Sequence, residues 1–101
     1  VKFAGRRLKG IMTKTPETWE KQAIREYLKW KQVFFYHNLA GLGVFPGVSD
    51  FTAIKDGKVY QIEVKAGNGK QSPRQKEFQK QWELNGGMYL LGGIDEVMKH
   101  L

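Results

Sequence analysis

Gly47-Val48-Ser49-Asp50-Phe51-Thr52-Ala53-Ile54-Lys55-Asp56-Gly57-Lys58-Val59-Tyr60-Gln61-Ile62-Glu63-Val64-Lys65 is the run that decides the fold. Two β-prone segments, Phe51 to Ile54 and Val59 to Val64, flank Asp56-Gly57, a dipeptide suited to a two-residue type I′ turn. With that turn Lys55 pairs with Lys58 and Ile54 with Val59, and the register carried outward sets Asp50 opposite Glu63. Side chains alternate along a strand, so Lys65 joins the two carboxylates on one face. A three-residue loop with Gly57 in a bulge would instead slip the pairing by one and send Asp50 and Glu63 to opposite faces.

Like charges directly opposite each other destabilise a sheet. Two carboxylates and a lysine on one spot therefore ask for a reason. One is a bound divalent cation, since hard ions such as Mg²⁺ take carboxylate oxygens, keep several waters and are completed by substrate phosphate. The other is a solvated charged face on which Lys65 neutralises Glu63, which antiparallel hairpins commonly present. Register alone leaves both open.

The order of motifs goes further. Gly47-Val48-Ser49-Asp50 precedes one strand and Ile62-Glu63-Val64-Lys65 ends the next. Ser72-Pro73-Arg74-Gln75 then opens a helix and Gly86-Gly87 closes it. From about Thr15 onward this set resembles the VRR-NUC family of replication and repair nucleases, within the PD-(D/E)XK superfamily. The resemblance implies an α/β, restriction-endonuclease-like αβββαβ core, a central mixed sheet flanked by helices. It implies an endonuclease that hydrolyses DNA phosphodiester bonds with Mg²⁺ or Mn²⁺. The catalytic residues it implies are Asp50, Glu63, Lys65 and Gln75. The metal set it implies is Asp50, Glu63, the carbonyl of Val64, and an acid on the first helix, whose place Glu20 matches. Lys65 would act as a base or as an electrostatic clamp. Stand-alone members are typical of phages and prophages and resemble four-way-junction resolvases. The expectation is thus symmetric incision of Holliday junctions by a homodimer, in the cytoplasm of a bacterial or phage-infected cell. Nicking of flaps or other branched DNA is the nearest alternative within the same chemistry.

Composition bounds the reading independently. The chain has 101 residues, 41% hydrophobic and 27% charged, which suits one globular domain. It has no cysteine, which excludes disulfides and thiolate metal sites. No apolar run reaches the length of a membrane span and no segment is laid out as a signal peptide, so no membrane partner is expected. A net charge of +7 favours polyanion partners, nucleic acid first. A basic surface kept for solubility is the plainer account.

Residues 1–14 carry Lys2, Arg6, Arg7, Lys9 and Lys14 without clear periodicity. They read as a basic arm or extension ahead of a nuclease-like domain over 15–101, so the overall charge overstates how basic the folded part is. Thr15-Pro16 predicts a helix start, and Trp19, Ala23, Ile24, Tyr27 and Leu28 mark its apolar stripe to about Lys31. Glu20 shares a line with Ile24 and Leu28 at the edge of that stripe. A surface glutamate favoured by the helix dipole would explain it without a metal.

Val33-Phe34-Phe35-Tyr36 predicts a short strand buried on both faces. His37 ends it and stays outside the catalytic set. Leu39 to Ser49 is glycine-rich, but neither G-x-x-x-x-G-K-[ST] nor G-x-G-x-x-G is present, which excludes a P-loop. Ser72-Pro73 predicts a second helix to Asn85-Gly86 with Phe78 and Trp82 inward. Lys70, Arg74, Lys76 and Lys80 make its start positive, and helix N-termini already attract phosphate, so these four are the expected DNA-backbone contacts. Met88 to Leu91 predicts a strand and Ile94 to Leu101 a closing helix. A basic DNA-binding module without catalysis is the rival from another class. An RNA-directed enzyme ranks lower, because the exposed-aromatic motifs of RNA-recognition modules are not visible.

Overall fold

The computed structural model describes residues 15–101. The arm expected over 1–14 lies outside them. In chain order the elements are α1 (Pro16–Trp30), β1 (Phe34–His37), β2 (Phe51–Lys55), β3 (Lys58–Val64), α2 (Pro73–Leu84), β4 (Met88–Gly92) and α3 (Ile94–His100). The strands form one mixed sheet in the order β1-β2-β3-β4. β1, β2 and β3 run antiparallel, and β4 lies parallel to β3, so α2 is the crossover that a parallel pair requires.

The hairpin turn has two residues. Asp56 (φ 52°) and Gly57 (φ 78°) both take the left-handed conformation of a type I′ turn. The ladder pairs Lys55 with Lys58, Ile54 with Val59 and Phe51 with Ile62. Asp50 lies just ahead of the ladder: its N–H donates to the Ile62 carbonyl at 3.0 Å and its carbonyl accepts from the Asn38 N–H at 2.8 Å. No bulge interrupts the paired run from Lys55–Lys58 to Phe51–Ile62, and Asp50, one residue beyond it, bonds back to Ile62 rather than across to Glu63.

α1 and α3 cover one face of the sheet. Ile24, Leu28, Phe51, Ile62, Val64 and Val97 are the largest fully buried side chains, and they make the core between those helices and the sheet. The stripe read from the sequence thus becomes the buried side of α1. Thr15 caps this helix, its Oγ1 accepting from the Thr18 N–H at 3.2 Å, an arrangement typically worth about 1 kcal/mol. α2 lies on the opposite face, where Phe78 packs among Phe45, Trp82 and Tyr89. Its first turn is a capping box: Ser72 Oγ accepts from the Gln75 N–H, and Gln75 Oε1 accepts from the Ser72 N–H.

The strand over Val33–Tyr36 differs from its expectation. β1 is an edge strand rather than one buried on both faces, and Phe34 and Tyr36 are exposed. Only Val33, just before the strand, is buried, with Phe35 packed partly against the core. An apolar run records what the side chains prefer, and the topology placed this one at the rim. Among the described residues no helix is long and apolar enough to cross a membrane.

Candidate functional site

Asp50 enters β2 and Glu63-Val64 ends β3, so the two carboxylates meet at one end of the sheet. Glu63 is almost wholly buried, at 3% exposure. Its Oε2 accepts from Gln75 Nε2 at 3.1 Å and lies 3.7 Å from Lys65 Nζ. Asp50 Oδ2 accepts from the Val64 N–H at 2.7 Å, and Oδ1 lies 3.2 Å from Lys21 Nζ. Burial, then the adjacent Asp50 carboxylate, pushes Glu63 up to about 7, against the opposing pull of Lys65. At Lys21 burial works against the charged form, yet the Asp50 carboxylate outweighs it and the pKa rises.

The structure therefore brings Asp50, Glu63, Lys65 and Gln75 together. Gln75 is fixed from both ends of its amide, its oxygen on the cap of α2 and its nitrogen on Glu63. This cap delivers a helix residue to a strand carboxylate. Gly47 allows the approach. At φ 83° it lies so close to α2 that a Cβ there would stand 2.3 Å from the Arg74 carbonyl oxygen and 2.7 Å from the Gln75 nitrogen. A cleft of about 400 Å³ runs from Gln75 between this loop and the start of α2. Lys70, Arg74, Lys76 and Lys80 are all exposed on the loop and helix beside it.

Glu20 goes elsewhere. Its Oε1 accepts from the Ile94 N–H at 2.8 Å and so satisfies the first turn of α3, packed so tightly on Gly93 that a Cβ there would stand 2.5 Å from that oxygen. Among the described residues no three His, Asp or Glu side chains gather closely enough to share one ion. The expected third carboxylate is thus a helix cap. The reason is helical phase: Glu20 lies in line with Ile24 and Leu28, which carry it over the core toward α3.

The next residue reaches the acids instead. Lys21 touches Asp50, and Glu17 lies 3.7 Å from Lys21. The sequence reading missed Lys21, which recurs with Arg25 and Lys29 every four residues along α1 with no local signal to set it apart. It also missed a polar network behind Asp50. Asn38 Nδ2 donates to the Ser49 carbonyl and to Gln61 Oε1, Thr52 Oγ1 donates to Asn38 Oδ1, and Gln61 Nε2 donates to Thr52 Oγ1. Ser49 Oγ donates to Gln61 Oε1 as well. Among the described residues no buried side-chain polar atom lacks a partner, so the network holds the approach to Asp50 rigidly.

No family model and no curated protein matches the sequence. A solved structure described as a VRR_NUC domain does match the fold, with a TM-score of 0.73 at 20% identity, covering 86% of this chain and 98% of that one. The mixed four-stranded sheet flanked by helices gives this chain the restriction-endonuclease-like fold of a VRR_NUC domain.

Proposed function

We propose that this chain is a metal-dependent endonuclease that hydrolyses phosphodiester bonds in DNA. The observation that carries the reading is the meeting of Asp50 and Glu63 with Lys65 at one end of the sheet, where Glu63 is buried beside a second carboxylate. The donor set fits a hard divalent cation: two carboxylates and no sulfur ligand, with waters free to complete the shell in place of a third acid. Asp50, Glu63 and the Val64 carbonyl would hold Mg²⁺ or Mn²⁺. Such an ion, when bound, lowers the pKa of water and offsets charge on phosphoryl oxygens.

The chain's own groups do the rest. Lys65 brings an ammonium to the place where charge builds on the phosphate, and there it either clamps the developing oxyanion or takes the proton of the attacking water. Gln75 holds Glu63 in one orientation through the cap of α2, so the carboxylate does not have to reorganise when substrate arrives. Lys70, Arg74, Lys76 and Lys80 contact the phosphate backbone beside the cleft and set its path. The substrate is branched DNA, foremost a four-way junction. A two-fold dimer would present two such sites to a two-fold substrate, which supports a homodimer as the working form.

The test is a labelled set of four-way junctions, flaps and plain duplexes, incubated with Mg²⁺, Mn²⁺ or chelator, with cuts mapped on both strands. The expected result is metal-dependent, paired incision of the junction, lost in Asp50→Asn, Glu63→Gln and Lys65→Met while the circular dichroism of each variant stays native. Binding of branched DNA without cleavage under any metal would make the chain a binding module whose acids are structural. Full activity in any of the three variants would remove that residue from the mechanism.

A further inference from the structure

We propose that Lys21 is the resident counter-ion of Asp50, that a divalent cation enters the site by displacing it, and that Glu17 receives the released ammonium. The inference rests on the metal-dependent reading above. It starts from the two oxygens of Asp50. Oδ2 is held by a backbone N–H, that of Val64, at 2.7 Å. Oδ1 is held by the Lys21 ammonium at 3.2 Å. A backbone donor inside a strand cannot withdraw without breaking the ladder, whereas a lysine on a four-carbon stem can. The oxygen open to exchange is therefore Oδ1, and what must leave is Lys21.

The place it leaves for is already built. Glu17 and Lys21 stand one turn apart on α1, and Lys21 Nζ lies 3.7 Å from Glu17 Oε2 as well as 3.2 Å from Asp50. Neighbours at this spacing share one helix face, so rotation about the lysine side-chain bonds moves the charge between the acids with no movement of the backbone. Lys65 is placed differently. It pairs with Glu63, whose Oε2 also carries Gln75, and among the described residues no other acid lies within ion-pair distance of it. The two lysines thus divide the work: Lys65 stays with the reacting groups, and Lys21 neutralises Asp50 until a cation arrives.

A counter-ion that must be displaced weakens cation binding, and an acceptor for it strengthens binding. These opposite effects can be read without DNA and without turnover, by calorimetric titration of Mn²⁺ into the full chain at fixed pH and ionic strength. Lys21→Met keeps the aliphatic stem and should bind Mn²⁺ roughly tenfold more tightly, the scale of a lost charge-assisted contact. Glu17→Gln should bind a few-fold more weakly, because the ammonium loses its second partner. In the Lys21→Met background Glu17→Gln should change nothing further.

Ordinary long-range charge effects predict otherwise, with Glu17→Gln weakening both backgrounds alike, and that result would overturn the exchange. Unchanged affinity in Lys21→Met would overturn it too, and Lys21→Gln serves as the second variant should Lys21→Met not fold. Asp50→Asn reports whether the titrated site is this one. If the unaltered chain takes up no Mn²⁺ at Asp50, the metal reading falls and the exchange with it. If it binds and Lys21→Met binds no better, the exchange alone falls.

Discussion

Glu63 is a carboxylate kept where its charge is unwelcome, and its cost depends on pH. Burial and Asp50 hold its pKa at about 7 in the fold, against 4.5 for a free glutamate. The folded chain therefore binds more protons than the unfolded chain between those values, and its stability falls as pH rises across that window. Glu63→Gln removes the titration. In the absence of divalent cations the variant should melt with the unaltered chain near about pH 5 and several degrees above it near about pH 8. Equal melting temperatures at the higher pH would mean that Lys65 compensates Glu63 in full. A stabilised variant that cannot cut DNA would be the trade expected of an acid retained for chemistry. The approach of Asp50 to Glu63 was legible because Asp56-Gly57 fixes the turn and the turn fixes the register as far as Phe51 and Ile62. Lys21 was not legible: its reach to Asp50 depends on how α1 settles on the sheet through Ile24 and Leu28, which no local pattern records.

Elements bring these residues together, and the join between the loop after β1 and the cap of α2 is a tight one. Gly47 sits there in a left-handed conformation with backbone atoms of Arg74 and Gln75 in the space a side chain would need. Gly47→Ala should cost on the order of 2 kcal/mol, from the positive φ and the displaced helix start. The shift should also pull Gln75 from Glu63, so cleavage falls more than stability alone explains. Gly57→Ala is the control. It has a similar φ, with open space around the added carbon, and should cost roughly 1 kcal/mol of stability, with the folded fraction cutting at the native rate. Chemical denaturation together with cleavage rates per folded molecule separates the two, and equal rates in both variants would deny Gly47 a positioning role. The helix and strand boundaries were legible for local reasons, Thr15 and Ser72 ahead of proline above all. The place of β1 was not, because Phe34 and Tyr36 have the same composition at the rim of a sheet as in its middle.

The described fold is less basic than the chain as a whole. Residues 1–14 hold five of the 17 lysines and arginines and none of the ten acids, which leaves 15–101 with a net charge of +2. A nearly balanced fold does not attract DNA through its overall field, so affinity must come from where the positive charges gather. Arg74 lines the cleft beside Gln75, while Lys70 is exposed on the loop before α2 and Lys76 and Lys80 are exposed farther round the helix. If all four meet phosphate, changing them together to glutamine should flatten the dependence of log affinity on log salt by about 3 to 4, at roughly 0.9 per phosphate on duplex arms. Affinity measured by fluorescence anisotropy over a salt series reads the slope directly. Removal of residues 1–14 forms the opposing arm of the experiment. A slope that survives the four changes and collapses on that deletion would place the phosphate contacts on the basic arm, and α2 would then serve the site only through Gln75.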